Sequence, residues 1–155
     1  KKQTLKTPQS ETTLLILDGL EKPGNIGALL RSADAAGVSG VIIVGENLDI
    51  YNPNTIRASL GAVFSLPILG LSFEQTNHFC NLHNIKIYGA ILSKDSIDYR
   101  TISYSKRKAL VLGSEAKGFA HEWKLQAIHI PMLGSVNSLN VSVAGGVLLF
   151  HLQQL

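Results

Sequence analysis

The 155-residue chain is poor in several residue types that carry chemistry elsewhere. It holds one cysteine (Cys80), one tryptophan and one methionine. A lone cysteine excludes an intramolecular disulfide and a cysteine-built zinc site, and makes a reducing cytoplasm the expected compartment. Aromatic residues amount to 6% and are not clustered, so stacking of nucleic-acid bases on this domain is expected to be minor. The longest apolar run, around Val141 to Phe150, is too short for a membrane span, and no segment reads as a signal peptide. There is no G-x-G-x-x-G, and Gly24-Asn25-Ile26-Gly27 is not one; a Walker A loop and a G-x-S-x-G elbow are likewise missing. Dinucleotide binding and serine hydrolysis therefore have little support. His78 and His83 lie five apart without companions for a metal, and His129 reads as structural; no metal is expected.

What is present fits one domain with a real core. Residues 1–11 read as a polar tail or linker and 12–155 as the folded unit. A hydrophobic content of 45% and a mean hydropathy of +0.18 are high for so small a chain. They point to an oligomer interface or to a well-filled α/β core. Fourteen Lys+Arg against eleven Asp+Glu give a net charge of +3. That mild basicity is compatible with nucleic acid without demonstrating it.

Apolar runs alternate with helical patterns. Strands are expected at Thr12 to Leu17, Val41 to Val44, Phe64 to Leu69, Lys86 to Leu92, Ala109 to Leu112 and Ala127 to Ile130. Helices are expected after Pro23-Gly24 to about Gly37, after Asn52-Pro53, from Ser72 to about His83, as a turn at His121 to Leu125, and from Leu139 to the end. A polar connection through Asp95, Asp98 and Tyr99 joins the fourth and fifth strands. This alternation predicts an α/β fold with a mainly parallel sheet sandwiched by helices.

Three stretches carry polar groups beyond what folding asks for. In Pro23-Gly24-Asn25-Ile26-Gly27-Ala28-Leu29-Leu30-Arg31, Asn25 stands at a helix entrance and Arg31 nearly two turns inside. Gly27 lies one turn before Arg31 and leaves its stem uncovered. An arginine so placed suits a bidentate grip on phosphate; a plain helix cap and a surface arginine are the blander account. Leu112-Gly113-Ser114-Glu115-Ala116-Lys117-Gly118 follows an apolar strand, where open parallel sheets bind ligands. There Glu115 is a hydrogen-bond acceptor or only a capping carboxylate, and Lys117 a counter-ion for phosphate. In Ile130 to Ala144 a strand end runs through a loop rich in Gly, Ser and Asn into an apolar helix. Ser138 is suited to cap that helix, and Asn140 to hold a phosphate, a loop backbone or Arg31.

Together and in this order, the three stretches resemble the SpoU (TrmH-like) branch of the SPOUT superfamily, RNA ribose 2′-O-methyltransferases that use S-adenosylmethionine. The resemblance runs from Leu14 to Phe150, and no motif position departs from the pattern. It implies a parallel sheet with a deep C-terminal trefoil knot, a rare exception among chains, and a homodimer formed through helices beside the knot. Gly134, Ala144, Gly145 and Gly146 would let segments pass closely there. It implies a cofactor held around Leu112, Gly113, Ile130, Met132, Ser138 and Leu139. Asn25, Arg31, Glu115, Ser138 and Asn140 would be the polar reaction centre.

On the same resemblance, the reaction is an in-line methyl transfer to a ribose 2′-hydroxyl, in which alignment supplies much of the rate. The resemblance implies Arg31 as general base, assisted by the substrate phosphate. Because a guanidinium scarcely deprotonates, the alternative is that Arg31 clamps the 3′-side phosphate and stabilises the developing alkoxide, with the proton going to phosphate, Glu115 or water. The context of Gly24 to Ala28 and Ser32 to Gly37 favours ribosomal over transfer RNA as substrate. Lys22, Arg57, Lys106, Arg107, Lys108 and Lys117 form a candidate basic track for it. The competing readings are a non-catalytic RNA-binding relative with the same knot and a flavodoxin-like nucleotide-binding domain.

Overall fold

In the computed structural model, which describes residues 4–45 and 48–154, strand β1 (Thr12–Asp18) is buried at every position. A strand covered on both faces reads as the near-continuous apolar run seen in its sequence. β2 (Gly40–Val44) is buried throughout in the same way. With β3 (Ile68–Leu71), β4 (Lys86–Ala90), β5 (Ile97–Asp98), β6 (Arg107–Leu112) and β7 (Gln126–His129), these strands form one seven-stranded sheet ordered β3-β2-β1-β6-β4-β7-β5. Every pairing is parallel. β6 lies between β1 and β4, with Leu17 opposite Leu112. Two late strands are thus inserted between earlier ones, and the loops after β1, β4, β6 and β7 all leave one edge of the sheet.

Helices α1 (Pro23–Ala36), α2 (Pro53–Ser59), α3 (Ala62–Ser65) and α5 (Val141–Gln153), with α4 (Phe73–Leu82), complete the fold. The pleat sends alternate residues to opposite faces. Leu15, Leu17, Leu110 and Leu112 join Ile26, Leu29, Leu30, Leu148 and Leu149 of α1 and α5 in one core. Leu14, Ile16, Ala109 and Val111 meet Cys80, Phe73 and Phe79 of α4 in the other. Cys80 is buried, and burial pushes its thiol up to about 11, so it stays protonated and inert.

The local signals behave as physical chemistry requires. Asn52 Oδ1 accepts from Asn54 N–H at the start of α2. Ser72 and Gln75 cap α4 reciprocally. α1 ends on Gly37 in the left-handed conformation, at φ 73°.

Four expectations are corrected. Ala62–Ser65 is a single helical turn and not the start of a strand; left-handed Leu60 and Gly61 reverse the chain, and β3 begins only after Pro67. Residues 121–125 are not helical, because Asp18 takes the amide of His121. The connection through Asp98 contains β5, which pairs with β7. The last helix starts at Val141, not Leu139. The expected tail, whose first three residues lie outside the described ones, is pinned where it is described: Leu5 packs on Gly40, and Gln9 O accepts from Arg107 Nε–H.

Candidate functional site

The ends of β4, β6 and β7 open into a cleft of about 220 Å³. Its walls include Leu112 and Gly113 after β6, Ile130 and Met132 after β7, Ser138 and Leu139 before α5, and Glu115. All six residues expected to hold a cofactor therefore line one space. Added to them are Ala90, Ile91 and Leu92 after β4, which sequence reasoning missed. The signal was available, since these residues are the carboxyl end of a parallel strand, where ligands gather. His129 lines the cleft too and bonds through Nδ1 with Ser96 Oγ at 2.9 Å.

The loop after β6 is a tight turn. Ser114 and Gly118 exchange backbone hydrogen bonds of 2.9 Å, Ser114 Oγ accepts from Lys117 N–H, and Gly118 has φ 68°. Gly113 is obligatory, because a Cβ there would fall 2.5 Å from the backbone of Gly118. This turn aims Glu115 at the last helix, and Val141 N–H donates to Glu115 Oε1 at 2.8 Å. Glu115 is thus a capping carboxylate, but for a helix far away in sequence, where the positive helix end favours it.

The N-cap of α5 is Asn140 and not Ser138, since Asn140 Oδ1 accepts from Ser142 N–H. The same side chain donates from Nδ2 to Asn25 Oδ1 at 3.2 Å. Asn25 is not the cap of α1; that position is Lys22, which makes no side-chain cap bond. Asn25, Asn140 and Glu115 therefore tie α1, α5 and the β6 loop together, with Ser138 beside them in the cleft wall.

Arg31 is not brought to this group. It is exposed on α1, lines neither cavity at this edge, and its side chain forms no hydrogen bond or ion pair among the described residues. Gly27 serves another purpose than the one expected. A Cβ there would lie 2.6 Å from Ala58 Cβ and 2.7 Å from Thr55 O, so the glycine lets α2 press on α1. Among the expected close-packing residues, Gly145 would clash with Leu29 and Leu112, whereas Gly134 has open space around it.

The model of the SpoU rRNA Methylase family matches residues 12–150. The chain belongs to that family. It is 41% identical over 142 residues to RlmB, a 23S rRNA guanosine-2′-O-methyltransferase of Escherichia coli, covering 89% of this chain and 58% of RlmB. It is 31% identical over 144 residues to RlmP, a 23S rRNA guanosine 2′-O-methyltransferase of Bacillus subtilis, covering 90% of this chain and 57% of RlmP. The crystal structure of an AdoMet-bound rRNA methyltransferase from Sinorhizobium meliloti superposes with a TM-score of 0.89 at 37% identity, over 96% of this chain and 58% of that one. The chain therefore spans under two thirds of the length of these relatives.

A second cavity, of about 190 Å³, lies on the other side of the β6 turn in this SpoU-family domain, between it and the β1–α1 turn. Gly19, Leu20, Glu21, Lys22, Asn25, Ser114, Glu115, Ala116 and Lys117 line it. The expected basic track is broken by the fold. Lys106, Arg107 and Lys108 stand at the opposite end of β6; Lys108 is buried, which lowers its pKa, and Arg107 is spent on Gln9 O and His83 O. Sequence reasoning also missed Asp18. Its carboxylate is 0% exposed and accepts from His121 N–H, Trp123 Nε1–H and His121 Nδ1. Ending β1 on a buried acid before Gly19 was the only trace of it.

Proposed function

We propose that this chain is the catalytic domain, residues 12–155 behind a short linker, of an S-adenosylmethionine-dependent RNA methyltransferase. It would transfer a methyl group to a ribose 2′-hydroxyl, with ribosomal RNA the favoured substrate and a cytoplasmic site of action. One observation carries the reading. The cleft and the second cavity share Ser114 and Glu115, and Asn25 lines the second cavity, hydrogen-bonded to Asn140 at the start of α5. A donor space and an acceptor space that meet at a polar network are what a transfer between two bound molecules needs.

The residues fit the cofactor. Leu112, Ile128, Ile130, Met132, Leu139 and Leu148 make apolar walls for a nucleoside, while Ser114, Asn137 and Ser138 supply hydroxyl and amide groups for its polar ends. When bound, S-adenosylmethionine supplies an electrophilic methyl group. The chain's own part is to fix positions: Glu115 locks the β6 turn to α5, and the Asn25–Asn140 bond ties α1 to the start of α5 beside it. The names of RlmB and RlmP support a ribosomal substrate.

A C-terminal trefoil knot and a homodimer belong to the same proposal. The knot is supported by the insertion of β6 and β7 between earlier strands and by the packing of α5 behind the β6 turn. The homodimer is supported by an apolar stripe on α5, where Val143, Val147 and Phe150 are exposed. It also gives Arg31, which lines neither cavity of its own chain, a partner site to serve.

Incubation with methyl-labelled S-adenosylmethionine and unmodified ribosomal or transfer RNA tests the reading. Label should enter ribosomal RNA, map to 2′-O-methylribose and vanish in Arg31→Ala. A protein that neither labels RNA nor gains thermal stability from S-adenosylhomocysteine would refute it.

A further inference from the structure

We propose that the second cavity seats the RNA backbone phosphate 3′ to the methylated ribose, with Lys22 and Lys117 as its counter-ions. The inference rests on the methyl-transfer reading above and assigns to two lysines the phosphate contact that the sequence suggested for Arg31.

Position is the first argument. An acceptor hydroxyl has to approach the cofactor cleft, and this cavity shares Ser114 and Glu115 with it. The 2′-hydroxyl and the 3′-phosphate sit on adjacent ribose carbons, so a ribose at the shared wall carries that phosphate into the space behind it. Both cationic side chains that line that space come from the two turns enclosing it.

Preorganisation is the second argument. Lys117 rides on the turn closed by the Ser114–Gly118 hydrogen bonds, with its own N–H held by Ser114 Oγ at 3.0 Å. Lys22 is the N-cap of α1, whose first turn holds no acidic residue and starts with Pro23. Both lysines are exposed, and neither side chain has a hydrogen-bond or ion-pair partner among the described residues. Their charges are free for a ligand, unlike those of Arg107 and Arg100, which are spent within the protein.

Two carboxylates line the same cavity, which sets a sign test. Glu115 is committed through Oε1 to Val141 N–H. Glu21 is exposed and makes no such bond, so it is the group that opposes a phosphate. Neutralising Glu21 should therefore strengthen phosphate binding, while neutralising either lysine weakens it.

The test titrates guanosine 3′-monophosphate, and guanosine as its uncharged control, into isotope-labelled protein saturated with S-adenosylhomocysteine. Amide signals of Gly24, Asn25, Ala116 and Lys117 should move with the phosphate and much less with guanosine. Lys22→Gln and Lys117→Gln should each weaken the response severalfold, and Glu21→Gln should enhance it. With an unmodified 23S ribosomal RNA transcript, each lysine variant should raise KM for RNA more than it lowers kcat. The slope of log affinity against log salt should flatten by about 1 for each. Equal responses to guanosine and its phosphate, or responses that survive the double lysine variant, would overturn the subsite while leaving the methyl-transfer reading intact. Failure of S-adenosylhomocysteine to bind would overturn both.

Discussion

Glu115 shows how one side chain can carry both fold and chemistry. Its carboxylate receives the first amide of α5 from across the β6 turn, and it also faces both cavities. Glu115→Gln keeps an oxygen that can accept from Val141 N–H, so folding stability should change little, whereas Glu115→Ala should cost about 1 kcal/mol as a lost cap does. Urea denaturation separates the two. Equal stabilities for Ala and Gln would show that the bond to Val141 contributes nothing. A Gln variant that folds like the parent but loses methyl transfer would then assign the negative charge, and not the hydrogen bond, to the reaction. Residue types were legible here while partners were not. Ser138 and Asn140 are equally good caps by composition, and the fold gives the position to Asn140, whose Oδ1 takes Ser142 N–H while its Nδ2 reaches Asn25 on α1. Gly27 was visible as a glycine, but its reason lies in Ala58 and Thr55 of α2, which no local pattern reveals.

Elements long enough to repeat a period were legible, and short ones were not. β1, β2, α1 and α4 each carry several apolar positions, and the two helices add a signal at one end, Gly37 after α1 and the Ser72–Gln75 pair before α4. β5 is two residues long and α3 a single turn, too short for a period to register. The stretch after the β6 turn reads as helical in sequence but is not helical in the fold, because a buried carboxylate on another strand claims its amide, a non-local bond that overrides propensity. The packing of α1 on α2 can be tested directly. Gly27→Val puts branched carbons into the contact with Ala58 and should cost about 1–3 kcal/mol by overpacking. Gly24→Ala, three residues earlier and with nothing within 4 Å of the added Cβ, should be neutral or stabilising by up to about 1 kcal/mol. Thermal denaturation of both variants reads the difference; similar losses would mean that helix propensity, not the helix–helix contact, sets the cost.

At the scale of the whole molecule, the greasy composition has two explanations in the fold. Most of it fills the two cores on either side of the sheet. The remainder includes Val143, Val147 and Phe150 at one-turn spacing on α5, which are 52%, 37% and 46% exposed. Gly146 lies between them and touches Ser32, the neighbour of Arg31 on α1. An apolar stripe continuous with a second helix is the kind of surface that two copies of a chain can cover symmetrically. The face must extend over both helices, since three side chains alone fall short of about 800 Å² per partner. On the proposed homodimer, the expected mass in solution is twice 16.7 kDa. Val147→Asp and Phe150→Asp place charge in the face without touching the cleft, so each should halve the mass in light scattering while S-adenosylhomocysteine still binds. If Arg31 serves the partner's site, these monomers should also lose methyl transfer as completely as Arg31→Ala does. Mixing an interface-intact Arg31→Ala chain with an Asn25→Ala chain should then restore part of the activity, because each mixed dimer assembles one whole site from two defective copies. A parent protein that is monomeric at micromolar concentration and still methylates RNA would exclude the dimer. Mixed dimers that form but stay inactive would return Arg31 to its own chain.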